Sequence, residues 1–219
     1  NLAVDKKQRL TNTDVIDIAN VDDDGQVFPA DHARHVSLMA NQLWHSDSSF
    51  KSPPAKYSVL SAVAIPDVGG DTEFADQRAA YDALPDELKA EIDGLVAEHY
   101  AFHTRDMLGG GEYTSEGKSR LPPVNWPLVH TIPESNRKSL FVGVHTREIE
   151  GMPTAPARVF LLDLLERATQ REFVYRHTWT QHDLIMWDNR CTLHRGRRYN
   201  VTDRRELRRC TTEVELEHA

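Results

Sequence analysis

Trp44-His45-Ser46-Asp47 holds the only His-x-Asp triplet of this 219-residue chain. On a strand, positions i and i+2 point to the same face. An imidazole and a carboxylate so placed can hold adjacent corners of one metal octahedron. A third ligand from elsewhere would complete the facial triad of non-haem Fe(II) oxygenases. With 11 His and 19 Asp in the chain, chance gives roughly one such triplet. The motif alone therefore leaves open a surface His and Asp sharing a hydrogen bond. A C-terminal block carries more weight. It reads Leu184-Ile-Met-Trp-Asp-Asn-Arg-Cys-Thr-Leu-His194, an apolar strand into the turn pair Asp188-Asn189 and a second strand toward His194. Eight arginines lie between Arg190 and Arg209. The stretch has few aromatics on which bases could stack, which argues against a nucleic-acid patch. Arginines on a sheet beside a metal-ligand candidate suit small carboxylates, because a guanidinium grips them in a bidentate fork.

These residues need a scaffold, and the sequence pattern predicts a mostly β one. Apolar alternation and β-branched runs predict strands at 14–19, 57–65, 139–144, 173–180, 184–187 and 207–214. Asp76 is placed to cap a helix over 77–83. Pro85, with Asp86 and Glu87 in the first turn, predicts a helix over 85–98 whose Leu88, Ile92, Leu95 and Val96 share a face. Thr154, with Pro156 behind it, is placed to cap a helix reaching about Ala168. Residues His103 to Pro123, with Gly109-Gly-Gly111, read as a long mobile loop of the lid type. Few helices alternate with strands, so a doubly wound parallel sheet is disfavoured. A jelly-roll β-sandwich with inserted helices fits better.

Composition bounds the function. Lys plus Arg number 26 and Asp plus Glu 34, a formal charge of −8. Such a balance disfavours attraction to nucleic acid or to anionic lipid. No apolar run reaches bilayer length. Two cysteines cannot make a disulfide framework, and Cys191 reads as a small core residue. The first residues carry no export pattern, so a cytoplasmic location is expected.

Four blocks in order resemble the TauD/TfdA family: Trp-His-x-Asp, Gly-Gly-Asp-Thr-Glu-Phe-Ala-Asp, Trp-Asp-Asn-Arg-x-x-x-His, and a strand with paired arginines. These are Fe(II)- and 2-oxoglutarate-dependent dioxygenases on a double-stranded β-helix (jelly roll). The segments at 45–50, 54–58, 74–83 and 205–212 look closest to the TfdA branch, which contains the 2,4-dichlorophenoxyacetate dioxygenases. The resemblance implies His45, Asp47 and His194 as the catalytic iron ligands. It implies Arg205 and Thr72 on the distal carboxylate of 2-oxoglutarate, and Arg209 and Asn41 on the substrate. The cosubstrate would be oxidatively decarboxylated to succinate and CO2 while dioxygen hydroxylates a small organic anion. An aryloxyalkanoate, cleaved to a phenol and an oxo acid in aromatic-compound catabolism, is the expected substrate. Phe50, Phe102 and Tyr113 are expected near its ring. A taurine- or alkylsulfate-type dioxygenase is the alternative within the family. A zinc hydrolase and a non-catalytic β-sandwich binding module are alternatives outside it.

The other histidines, His99, His103, His130, His145, His177 and His182, are expected in packing or surface bonds. Residues 1–219 are expected to form one dioxygenase domain lacking an N-terminal portion that family members carry. An incomplete sheet edge would be prone to pair with another copy, which leaves a homo-oligomer open.

Overall fold

The structure is a computed structural model that describes residues 9–32, 34–109 and 114–215. The chain opens with β1 (Ile16–Ala19), α1 (Arg34–Ala40), β2 (Ala55–Ala64), β3 (Thr72–Asp76), α2 (Gln77–Asp82) and α3 (Asp86–Ile92). It continues through β4 (Val96–His99), α4 (Ala101–Met107), α5 (Ser115–Ser119), β5 (Val124–Pro127), β6 (Val129–Ile132), β7 (Arg137–Leu140) and β8 (Thr146–Ile149). It closes with α6 (Thr154–Ala168), β9 (Val174–His177), β10 (Leu184–Asp188), β11 (Thr192–Gly196) and β12 (Glu206–Glu213).

Two antiparallel sheets build the site. One has the order β1-β12-β2-β10 and the other β11-β3-β9. Leu60, Ala62, Phe74, Trp187 and Leu207 from these strands meet in one buried cluster with Trp179. Face-to-face packing of two such sheets is the sandwich that the pattern leads one to expect. β2 lies between two strands and alternates: Ser58, Leu60 and Ala62 are buried, whereas Val59 and Ser61 are half-buried. A second core forms where α2, α3 and α6 cover the smaller sheets, around Ile92, Leu128, Leu140, Leu161 and Leu164. No helix among the described residues is long and apolar enough to cross a membrane.

β12 and the two residues that lead into it sort their arginines by parity. Arg205, Leu207 and Arg209 line one pocket. Arg204 and Arg208 lie on the other side, where both bind Glu206, at 2.8 and 3.3 Å, together with Arg9 at 2.6 Å. Burial would raise the Glu206 carboxyl, but these guanidinium bonds outweigh it and hold the group down at about 2.

Several expectations are corrected. The helix begun at Pro85 stops at Ile92, and Val96 belongs to a strand. The backbone leaves the helix at Asp93, which is extended, and Gly94 at φ +77° completes a tight turn closed by the Leu95 amide on the Ile92 carbonyl. Leu88 and Leu95 still pack on the core that buries Ile92. The stretch from His103 is not one long loop: α4 and α5 occupy 101–107 and 115–119, and Phe102 and Thr104 are buried. Gly110, Gly111, Glu112 and Tyr113 lie outside the described residues. The strand expected to reach Val144 ends at Leu140. The Thr146 hydroxyl accepts from the Gly143 amide, and the Thr146 amide bonds the Gly143 carbonyl, so this segment turns rather than extends. Thr154 is the first residue of α6 and not its cap, a position taken by Pro153 without a side-chain bond. Asp76 does cap α2, accepting from the amides of Arg78 and Ala79.

Candidate metal centre

His45 and His194 are brought together by backbone. The His45 amide bonds the His194 carbonyl at 3.0 Å, and the His194 amide bonds the His45 carbonyl at 2.8 Å. This isolated bridge joins residues 149 positions apart in sequence (194 minus 45). His45 is therefore a single bridge residue rather than part of a regular strand. Asp47 sits in a turn, followed by Ser48 at φ +51°. The same-face geometry expected of an extended His-x-Asp is replaced by a turn that swings the carboxylate back toward the histidines. The result is a buried cluster: one ligand atom each from His45, Asp47 and His194 lies within 4.8 Å of the others. The two imidazole centroids are 4.1 Å apart, and His194 Nε2 is 3.8 Å from Asp47 Oδ2.

The donor set fits a divalent cation. Burial pushes both imidazoles below their ordinary range, against the raising effect of Asp47, so both are neutral ligands at pH 7. His45 Nδ1 is 2.7 Å from the Leu43 carbonyl. A carbonyl only accepts, so Nδ1 carries the proton and Nε2 presents its lone pair. Burial would raise the Asp47 carboxyl, but the Arg209 guanidinium, with a further contribution from the Ser58 hydroxyl, holds it at about 2. Two neutral imidazoles and one carboxylate are the donor set of a facial triad, which leaves positions open for other ligands. His194 Nδ1 is buried with no hydrogen-bond partner among the described residues.

Of the residues expected to bind the metal, the cosubstrate or the substrate anion, all but Asp47 line one pocket. It is bounded by Asn41, His45, Thr72, His194, Arg205 and Arg209, with apolar cover from Leu60, Trp187 and Leu207. Asp47 closes it from behind, bonded to Arg209. β3 and β11 pair with Thr72 opposite Gly196 and Phe74 opposite His194, which sets Thr72 at one end of the ladder and His194 at its middle. The Thr72 hydroxyl accepts the Trp179 indole N–H at 2.9 Å, which leaves its own proton free to donate.

Arg205 is buried, and burial lowers its basicity. Its Nη2 donates to the Gly70 carbonyl at 2.9 Å, and its guanidinium lies 5.4 Å from the centroid of the Tyr199 ring. Among the described residues Nε has no hydrogen-bond partner, and no carboxylate lies within ion-pair distance. A buried guanidinium without a counter-ion is costly unless an anionic ligand supplies one. Gly70, at φ +75°, makes this placement feasible: a Cβ there would come within 3.1 Å of Arg205 Nε.

Two expectations change here. Arg209 lines the pocket, yet its Nη1 is engaged by the Asp47 carboxylate rather than held wholly for a substrate. A carboxylate this deeply buried recruits the nearest cation. Phe50 and Phe102 do not line this pocket; they pack with Ala101 in a separate cluster, and Phe50 meets His145 edge-on. Tyr113 lies outside the described residues. Of the remaining histidines, His99 and His130 pack on Phe141, His145 bonds Thr104 and His177 bonds Asp183. Cys191 is buried in the core. Sequence reasoning missed Ser58, Asn189 and Trp179, which touch the site only through long-range bonds. The Trp-Asp-Asn-Arg block did contain Asn189, but nothing in the spacing shows which way its amide turns.

The family described as "Taurine catabolism dioxygenase TauD, TfdA family" matches residues 5–211. The alpha-ketoglutarate-dependent 2,4-dichlorophenoxyacetate dioxygenase of Cupriavidus pinatubonensis is 56% identical over 207 residues, covering 94% of this chain and 72% of the relative. The (S)-phenoxypropionate/alpha-ketoglutarate-dioxygenase of Sphingobium herbicidovorans is 38% identical over 196 residues, covering 86% and 68%. Among solved structures, that of AAD-2 in complex with Mn(II) and N-oxalylglycine superposes with a TM-score of 0.88 at 50% identity, covering 91% of this chain and 73% of that one. The described sheets match these jelly-roll structures.

Proposed function

The chain belongs to the TauD/TfdA family of dioxygenases, and from that premise we propose that it cleaves aryloxyalkanoates in a reaction dependent on Fe(II) and 2-oxoglutarate. The observation that carries the reading is one pocket lined by two members of the buried His45–Asp47–His194 cluster and by Arg205, a buried cation with no ion-pair partner among the described residues. Fe(II) bound by His45, Asp47 and His194 would supply the oxidising chemistry, in which 2-oxoglutarate and dioxygen give succinate and CO2 and the substrate is hydroxylated.

The protein's own part is binding, aim and exclusion of water. Arg205 offers a charged fork, and Thr72 a hydroxyl proton, to the distal carboxylate of 2-oxoglutarate. Arg209, whose Nε is buried without a partner, and Asn41 face the substrate anion. Leu60, Leu207 and Trp187 provide apolar surface around the reacting carbon. Holding the carboxylate at one fixed point places the carbon next to the ether oxygen within reach, and such positioning is a large part of enzymatic rate enhancement. Hydroxylation at that carbon gives a hemiacetal, which collapses to a phenol and an oxo acid.

The test supplies phenoxyacetates, phenoxypropionates, taurine and alkyl sulfates separately, with Fe(II), 2-oxoglutarate and oxygen. Equimolar phenol and succinate are expected from the aryloxy acids. Sulfite and succinate from taurine alone would overturn the substrate. Absence of succinate with every compound would overturn the activity.

Gly70 gives a sharper check on the cosubstrate site. Gly70→Ala places a methyl group against Arg205 and carries the left-handed backbone cost of about 1–2 kcal/mol. A rise of severalfold in KM for 2-oxoglutarate is expected, with a smaller change in kcat and a lower melting temperature. An unchanged KM would separate Arg205 from the cosubstrate.

A further inference from the structure

Behind Asp47 lies a chain of buried polar groups whose donors and acceptors can be assigned in only one way. Trp187, Asn189, Ser58 and Asp47 are each less than a tenth exposed. The Trp187 indole N–H can only donate, and it meets Asn189 Oδ1 at 2.9 Å. The Asp47 backbone amide donates to the same oxygen at 3.2 Å. These two donors fix the amide orientation of Asn189, so its Nδ2 faces the Ser58 hydroxyl at 2.9 Å. Ser58 must accept that bond, and its single proton goes to Asp47 Oδ2 at 2.6 Å. Because that proton is committed, Thr211, 3.3 Å away, is the donor in its contact with Ser58. The Ser46 hydroxyl donates to the Asn189 carbonyl at 2.8 Å and ties the turn to the same residue.

We propose that Trp187, Asn189 and Ser58 form a one-directional hydrogen-bond relay that holds Asp47 in its metal-binding orientation. The proposal rests on the reading of His45, Asp47 and His194 as ligands. Asp47 sits in a turn and not in a strand ladder, so backbone pairing alone does not set its carboxylate. The relay does so instead: Ser58 and Asn189 lie outside the pocket lining, the Trp187 ring lines it while its N–H points to Asn189, none of the three is a ligand, and each acts through the next. They are positioning residues. Outer partners of this kind typically alter metal affinity by about 10–100-fold when removed.

The experiment titrates Co(II) alone into the purified wild type, Ser58→Ala and Asn189→Asp by calorimetry, and records the visible Co(II) band. Ser58→Ala removes the proton that Asp47 accepts. Asn189→Asp keeps the shape and the acceptor for Trp187, but presents an acceptor to Ser58. The serine proton is then drawn away from Asp47. Both variants are expected to weaken Co(II) binding at least tenfold and to shift the band. Ser58→Thr, which retains the hydroxyl, should return the affinity to within about fivefold of wild type. Wild-type affinity and spectrum in either folded variant would overturn the relay. Loss of folding in both would also overturn it, in favour of a packing role. Wild-type protein that binds no Co(II) would instead count against the metal centre itself.

Discussion

Replacing His194 by alanine is expected to abolish stoichiometric metal binding and lower turnover by on the order of a thousandfold or more. Loss of an outer partner typically costs about 10–100-fold in metal affinity, and loss of a direct ligand should exceed that. The variant should nevertheless fold. The bridge between residues 45 and 194 is made by backbone on both sides, and truncating the side chain leaves it in place. What is lost is packing, since the His194 ring lies 4.6 Å from Trp187 and 6.2 Å from Phe74. A destabilisation of about 1–3 kcal/mol follows. The measurement is calorimetric titration with Mn(II) or Co(II), beside thermal unfolding of the metal-free protein. Wild-type metal affinity in a folded His194→Ala protein would remove His194 from the centre.

The second large effect concerns Arg205. Arg205→Ala should raise KM for 2-oxoglutarate by on the order of a hundredfold, because truncating one side of a buried charge-assisted contact costs about 2–5 kcal/mol. Metal affinity should stay within about threefold, since Arg205 has no bond to His45, Asp47 or His194. Stability should move differently from activity. In the protein without cosubstrate, Arg205 is a buried cation with no ion-pair partner among the described residues, and removing it relieves a desolvation cost. Its backbone remains tied to Asn20, which accepts the Arg205 amide at 2.8 Å and bonds its carbonyl at 3.2 Å. The melting temperature without cosubstrate should therefore hold or rise, while the stabilisation produced by adding 2-oxoglutarate disappears. Arg205→Lys should recover part of the affinity, since it keeps the charge but loses the fork. Equal stabilisation of wild type and Arg205→Ala by 2-oxoglutarate would refute the assignment.

Much of this was legible along the chain. Side-chain parity on a strand is local, so the sequence alone separates Arg205 and Arg209 from Arg204 and Arg208, and the two pairs do face opposite ways. Asp76 as a helix cap is equally local. The ordered blocks around His45, Thr72, His194 and Arg205 marked the pocket before any distance was known. Where the sequence misled, a local signal was overridden. The apolar face of 85–98 looked helical throughout, but an extended Asp93 and a left-handed glycine at 94 split it into helix and strand. His45-Ser-Asp47 looked extended, but the turn at Ser48 and the bridge to His194 place the ligands instead.

Only the tertiary structure decided how Asp47 is held. Its partner Ser58 is 11 residues away, but Ser58 is itself oriented by Asn189, 131 residues further on, and Arg209 is 162 residues from Asp47. The types of these residues are visible in the sequence, and their pairings are not. A hydrogen bond's direction depends on which donors surround an acceptor in space. That is settled only when β2 and β10 pair in a register that sets Ser58 opposite Trp187.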